Sequence, residues 1–409
     1  GLPQRKRIVL MDNQYTPTYH RLWNREFSLL IAAESLLCIA CYMTIPFLPY
    51  RLYTSHYIGS QWANLTMVMF VAGIFLSGFF VSWLIQRYRR NKVFFTSVLT
   101  LAGIILAMTM FDNPKRQLAT QDDIISLMAA CLVGGMAFGN AKRVLSCTLL
   151  IDKTESRHRT EANYAAIWIA RMAIVLGPIA SIMLRPEVDN MWFYGIGAVA
   201  ALLAGIIVMS VKFPFRAPEE GTHFISIDRF FLPQGWNVAI VVALMSTALG
   251  VVMSTHTDTE FFSSLAVGFV IALVILRFQV VRNGRYTSAI GNLCILAAVV
   301  AMNLHNGLLD STLKPMMMGL GFGLTSSEQL YKLLGRCNHC QRSTAESTYF
   351  LASDGGLFIG IALGWSGNWS CDASAAYGEQ IAIALFAIAT AMCCVNAILK
   401  KRNAEYHAQ

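Results

Sequence analysis

The sequence predicts an all-α integral membrane protein with twelve transmembrane helices in two pseudo-symmetric six-helix bundles, and three observations predict it. Only 13% of the 409 residues are charged and 56% are hydrophobic, about half the charge of a soluble domain. Twelve apolar stretches recur, each near the roughly 20 residues that cross a bilayer as a helix. The basic residues between those stretches alternate from one side to the other. Mean hydropathy is +0.51.

In chain order the stretches are 26–48, 61–86, 93–111, 123–151, 162–184, 191–212, 235–254, 260–281, 286–304, 314–335, 344–366 and 377–399. None alternates with the period of two that a barrel strand requires. In lipid the backbone must bond to itself, so helices are what remain. The first run, Phe27 to Leu48, is too long for a signal core and lacks a small-residue cleavage site after it. The ten cysteines lie mostly inside apolar runs, as do Cys38, Cys41, Cys131, Cys393 and Cys394. They serve there as small hydrophobes, not as a disulfide framework.

Orientation follows from Lys and Arg. With the N-terminus in the cytoplasm, 24 of the 32 basic residues fall in inside segments. The outside loops hold five: Arg51, Lys115, Arg116, Arg185 and Lys314. Such a bias predicts an inner (plasma) membrane protein with both termini cytoplasmic. It also accounts for the net charge of +9 without a nucleic-acid partner. The expected organisation is a tail (1–25), a first bundle (26–212), a central loop (213–234), a second bundle (235–399) and a second tail (400–409).

The central loop, with Pro214, Pro218, Glu219, Glu220 and Gly221, divides the chain into two sets of six stretches. At a constant offset of 183, Arg159 meets Arg342, Ala162 meets Ala345, Arg171 meets Asp354 and Gly177 meets Gly360. Internal repeats of this kind are common in transporter folds.

Two motifs carry a family resemblance. Between stretches 2 and 3 the run Ser82 to Lys92 resembles the G-x-L-x-D-R-x-G-R-R/K loop of the major facilitator superfamily. Arg87, Arg90 and Lys92 match, whereas Ser82, Gln86 and Arg89 replace two glycines and the aspartate. Arg282-Asn283-Gly284-Arg285 repeats the basic run between stretches 8 and 9. Stretch 5 is similar to the G-x-x-x-G-P-x-x-G-G pattern of the drug/solute–proton antiporters, the efflux branch of that superfamily. Gly177 and Pro178 match; Ala173 and Ser181 are small substitutes, and Tyr164 stands at the leading glycine. Stretch 11 mirrors it with Gly356, Gly360 and Gly364. Small residues four apart let helix backbones approach closely, so these positions are expected to pack helices. The resemblance implies a monomeric secondary transporter working by alternating access, with the Gln86–Arg90 and Arg282–Arg285 loops taking part in gating. Its favoured direction is export.

An ionisable residue in the middle of a spanning helix costs roughly 2.5–3.5 kcal/mol on insertion scales, so it tends to face a cavity or a partner. Six residues qualify: Glu34, Lys142, Arg143, Arg171, Glu328 and Asp354. Mutual neutralisation is one reading of three cations and three acids. In the resembled family helices 1, 4, 7 and 10 line the central cavity, which implies that Glu34, Arg143 or Lys142, and Glu328 lie near the solute path. Gly135, Gly139 and Arg143 share one helical stripe, which favours Arg143; Lys142, 100° away, is expected to snorkel toward the cytoplasm. Glu328 has Lys332 at ion-pair spacing. Glu34 has no local cation, and burying a lone carboxyl costs less with its proton on. It is therefore the expected proton carrier. Arg171 and Asp354 are expected to face the cleft between the halves and to find separate polar partners.

Cys337-Asn338-His339-Cys340 is half a zinc site without a second half, so no metal is expected. Met316 to Met318 reads as flexible lining or core. Asn368-Trp369-Ser370 is an outside glycosylation sequon. No P-loop, H-E-x-x-H or nucleophile elbow is present, which argues against an ATP-driven pump or an enzyme. No cofactor is expected, and the proton gradient is the expected energy source. The leading expectation is proton-coupled export of a small organic or amphipathic solute, with protons and the lipid bilayer as the other partners. Alternatives are import of an anionic metabolite on Lys142, Arg143 and Arg171, and a non-transporting receptor or membrane-embedded enzyme.

Overall fold

The computed structural model describes residues 22–55, 58–113, 120–154, 158–213, 223–227, 229–277, 284–302, 312–338, 341–368 and 374–406. The described part is all helical. Its long helices are α1 (Arg25–Thr44), α2 (Ser60–Arg87), α3 (Arg90–Phe111), α4 (Gln121–Val144), α5 (Arg159–Leu184) and α6 (Asn190–Ser210). Then come α7 (Trp236–Thr255), α8 (Thr259–Arg277), α9 (Gly284–Met302), α10 (Lys314–Leu334), α11 (Arg342–Asn368) and α12 (Ser374–Tyr406). Eight spans, α1 with its extension through α8, are long and apolar enough to cross a membrane. The chain is a multi-pass membrane protein. α10 and α11 are more polar because they bury polar side chains against neighbours, among them Thr325, Ser326, Ser327, Gln329, Glu346, Ser347 and Asp354.

Local chemistry sets the ends. Asn24 caps α1, its side chain accepting from the Phe27 amide at 2.8 Å, and Thr120 accepts likewise from Asp123 at the start of α4. The first stretch is not one continuous helix to residue 48. It stops at Thr44 and resumes as Leu48–Thr54, because Pro46 and Pro49 lack the amides that would continue the ladder. α4 runs on through a π-helical turn at Leu145–Leu149 into Leu150–Asp152, and such turns recur at functional sites.

Helix pairing repeats. α1 packs on α5 and α6, α2 on α4, and α3 on α4 and α6. Six positions later α7 packs on α11 and α12, α8 on α10, and α9 on α10 and α12. Between the two sets, α2 packs on α11 and α5 on α8. The small residues read from the sequence sit at these crossings. A Cβ on Gly177 would stand 2.5 Å from the Tyr42 Cβ of α1, and one on Gly356 would stand 2.5 Å from the Ala243 carbonyl oxygen of α7. Gly360 abuts the backbone of Thr247, and Gly364 abuts Ser254 and the Val251 carbonyl. Pro178 lies inside α5 beside its crossing with α1.

Two faces can be told apart. Lys153, just past α4, pairs with Glu26 at the start of α1 at 2.8 Å, and Arg90 pairs with Asp152. These mark the face on which α1 begins, here termed the basic face. On the opposite face Asp112, fully buried, is held by Arg51 at 2.7 Å and Arg185 at 3.0 Å. Tyr194 Oη also donates to Asp112 at 2.7 Å. That cluster ties the far ends of α1, α3, α5 and α6.

Candidate functional site

At the centre, α11 offers Asp354 to two helices of the first six. Lys142 Nζ of α4 reaches Asp354 Oδ2 at 2.6 Å, with 2% and 4% of the two side chains exposed. Tyr42 Oη of α1 donates to Asp354 Oδ1 at 2.7 Å. Aromatic rings hold the group in place: Phe350 lies 4.3 Å from the Lys142 ammonium, and Tyr42 stacks on Phe358.

Lys142 therefore does not snorkel to the surface. A carboxylate one helix away and an aromatic sleeve give the ammonium more than the long reach to water would. Arg143 faces away from the centre. Its guanidinium donates to Ser77 Oγ at 2.7 Å and to the Ile74 carbonyl at 2.8 Å, both on α2, and lies 5.2 Å from the Phe230 ring centroid. The stripe Gly135–Gly139–Arg143 marks the α2 contact: Gly135 abuts the Phe70 backbone, and Gly139 abuts Ile74 and Ser77. Small residues on a membrane helix signal a close neighbour, and here they locate that neighbour and not the cavity.

Arg171 of α5 is 3% exposed. It donates to Ser327 Oγ at 3.0 Å, to the Gly323 carbonyl at 3.4 Å and to Tyr349 Oη at 3.0 Å, and stacks 4.3 Å from Trp168. Arg171 and Asp354 do not pair with each other. Both line one narrow gap with Lys142, Phe322, Tyr349 and Phe350, and the gap has room for about one water.

Glu34 is fully buried. It accepts from Ser146 Oγ at 2.6 Å and from the Cys38 thiol at 3.9 Å. Ser146 lies in the π-helical turn of α4, so the bulge presents the hydroxyl that Glu34 uses. Glu328 closes on its own helix, pairing with Lys332 at 2.7 Å. In the loop motif Arg90 holds Asp152, Arg87 is exposed and Gln86 half-buried. Arg282 lies outside the described residues, as does the side chain of Arg285. His339, Cys340, Trp369 and Ser370 are outside them too, and eight described cysteines are free thiols.

The sequence reading missed Glu346, fully buried in α11 with one carboxylate oxygen unpartnered. The Asn163 amide, turned to donate, reaches its other oxygen at 3.3 Å. The repeat contained the signal: 163 and 346 are separated by the same offset of 183. Around them the two sets of helices meet on the basic face, where Ser343 Oγ donates to the Cys147 carbonyl at 2.7 Å and Arg342 to Thr160 Oγ1 at 3.4 Å. On the opposite face Tyr50 stacks on Trp365 at 4.8 Å, and Phe47 meets Phe262 edge-on.

No protein-family model matches the chain, and no curated protein does. Solved structures do. A bacterial homologue of the iron transporter ferroportin, in an outward-facing state, superposes with TM-score 0.66 at 14% identity, covering 90% of this chain and 98% of that one. An auto-inhibited POT family peptide transporter gives 0.62 at 11% identity, covering 91% and 96%. The nucleoside transporter NupG gives 0.63 at 11% identity, covering 90% and 100%. All three are transporters. At these identities the likeness is one of fold, which the chain shares over nine-tenths of its length with these solved transporters.

Proposed function

We propose that this protein is a secondary active transporter of a small organic solute that works by alternating access and is coupled to protons. Its twelve helices form two pseudo-symmetric bundles, α1–α6 and α7–α12, in a monomer whose termini both lie in the cytoplasm of an inner-membrane protein. One observation carries the proposal: the buried Lys142–Asp354 pair joins the two sets of helices at the centre, beside the gap lined by Arg171. An ion pair across that seam must break whenever the bundles part, so its partners are free to take solute in its place. Glu34 supplies the coupling. It meets a hydroxyl and a thiol but, among the described residues, no cation within 4 Å. The Gly177–Pro178 pattern favours export.

Pyranine-loaded proteoliposomes test the coupling. Glu34→Gln is expected to abolish pH-gradient-driven solute movement while solute counterflow persists. Undiminished gradient-driven movement in that variant would remove Glu34 from the mechanism.

A further inference from the structure

Three buried cations lie near the seam, and their surroundings differ. Lys142 is neutralised by Asp354. Arg143 is turned into the α2 contact and lines no part of the gap. Arg171 lines the gap, yet among the described residues it has no carboxylate within 4 Å; its partners are two hydroxyls, one carbonyl and an indole face. Neutral oxygens and a ring offset only part of the cost of burying a full charge. A cation kept there without a counter-charge, on the wall of a cavity, is suited to receive one.

The hydrogen-bond inventory gives the shape of the missing partner. A guanidinium has five N–H groups, and three of them go to Gly323, Ser327 and Tyr349. Two remain, as many as a carboxylate or phosphate takes in bidentate contact. The Ser327 hydroxyl is spent on the Gly323 carbonyl. The Tyr349 hydroxyl accepts from Arg171 and donates to nothing among the described residues, so its proton is available to the same oxyanion. Trp168, Phe322 and Phe350 lie around this group and fit an apolar or aromatic body behind the charged head.

We infer that the solute is an organic anion whose carboxylate or phosphate head is seated on Arg171 and Tyr349, with its apolar body among these rings. The inference rests on the transport reading above. Arg143, turned to α2, takes no part in holding the anion. The gap as it stands has room for about one water, so the solute enters when α5 parts from α10 and α11.

Four probes of similar size separate the chemistries: benzoate, phenyl phosphate, benzamide and benzylamine. Thermal unfolding of the purified full chain is followed as each is titrated. Benzoate or phenyl phosphate is expected to stabilise the protein well beyond the neutral and cationic probes, and whichever is stronger identifies the head group. Arg171→Gln should weaken that apparent affinity by about 10- to 100-fold, the loss expected for a charged hydrogen-bonded contact. Arg171→Lys should keep the preference for anions at lower affinity, and Arg277→Gln, at an exposed position of α8, should change nothing. Equal shifts for all four probes, or an anion preference that survives Arg171→Gln, overturns the inference. Should Arg171→Gln fail to fold, the wild-type ranking and Arg171→Lys still decide it. Counterflow of the same probes in proteoliposomes separates the two claims. Exchange of benzamide or benzylamine without either anion retains transport and rejects the anion; binding of anions with no exchange of any probe retains the seat and rejects transport.

Discussion

Two adjacent residues of α4, both long and basic, have opposite fates: Lys142 meets Asp354 across the seam, and Arg143 locks α4 to α2. Periodicity separates them by 100° but does not say which face is which. The shared stripe favours Arg143 for the solute path, whereas Gly135 and Gly139 pack on α2. Removing Lys142 leaves Asp354 buried without its counter-charge, so Lys142→Ala should destabilise the protein by about 3–5 kcal/mol. The double variant Lys142→Met with Asp354→Leu should lose much less than the two single changes summed. A denaturation cycle giving additive losses would mean that the pair does not couple. Arg171 and Asp354 have separate partners. Each single change to Ala is therefore expected to impair transport, and the charge-swapped double variant should not restore it. Recovery by the swap would reveal a direct pair.

Helices were legible because the bilayer leaves the backbone few options, and most observed ends fall within a few residues of the stretches read from hydropathy. The break after Thr44 was visible only as Pro46 and Pro49, which an apolar window averages away. The π-helical turn at Leu145–Leu149 has no sequence signature, because it depends on what α4 packs against. Close crossings are where single atoms decide stability. Gly360 abuts the Thr247 backbone, whereas an added Cβ on Gly103 of α3 would meet nothing within 4 Å. Gly360→Ala should therefore cost about 1–3 kcal/mol through overpacking. Gly103→Ala should be neutral or gain about 0.5–1 kcal/mol from helix propensity. Equal melting temperatures for the two variants would show that the α7–α11 crossing is not tight in solution.

Across the whole molecule, the pairing of α1–α6 recurs six positions later in α7–α12, and contacts between the two sets close both faces around a narrow polar centre. Hydropathy and the 183-residue offset set out two sets of six stretches in the sequence. The closure was not legible there, since Tyr50 with Trp365, and Ser343 with Cys147, meet only through tertiary packing. Glu346 was missed for a related reason: it lies near the end of its stretch, where an acid reads as a boundary residue, and only folding buries it. Alternating access requires the two closures to open in turn, and paired spin labels observe this directly. One pair sits on the opposite face, at exposed Thr54 and Thr259, and the other on the basic face, at exposed Glu161 and Arg336. Distance distributions measured in lipid nanodiscs from acidic to neutral pH should move in opposite senses, one pair lengthening as the other shortens. Distances that stay fixed at both faces, or that lengthen together, would contradict the account.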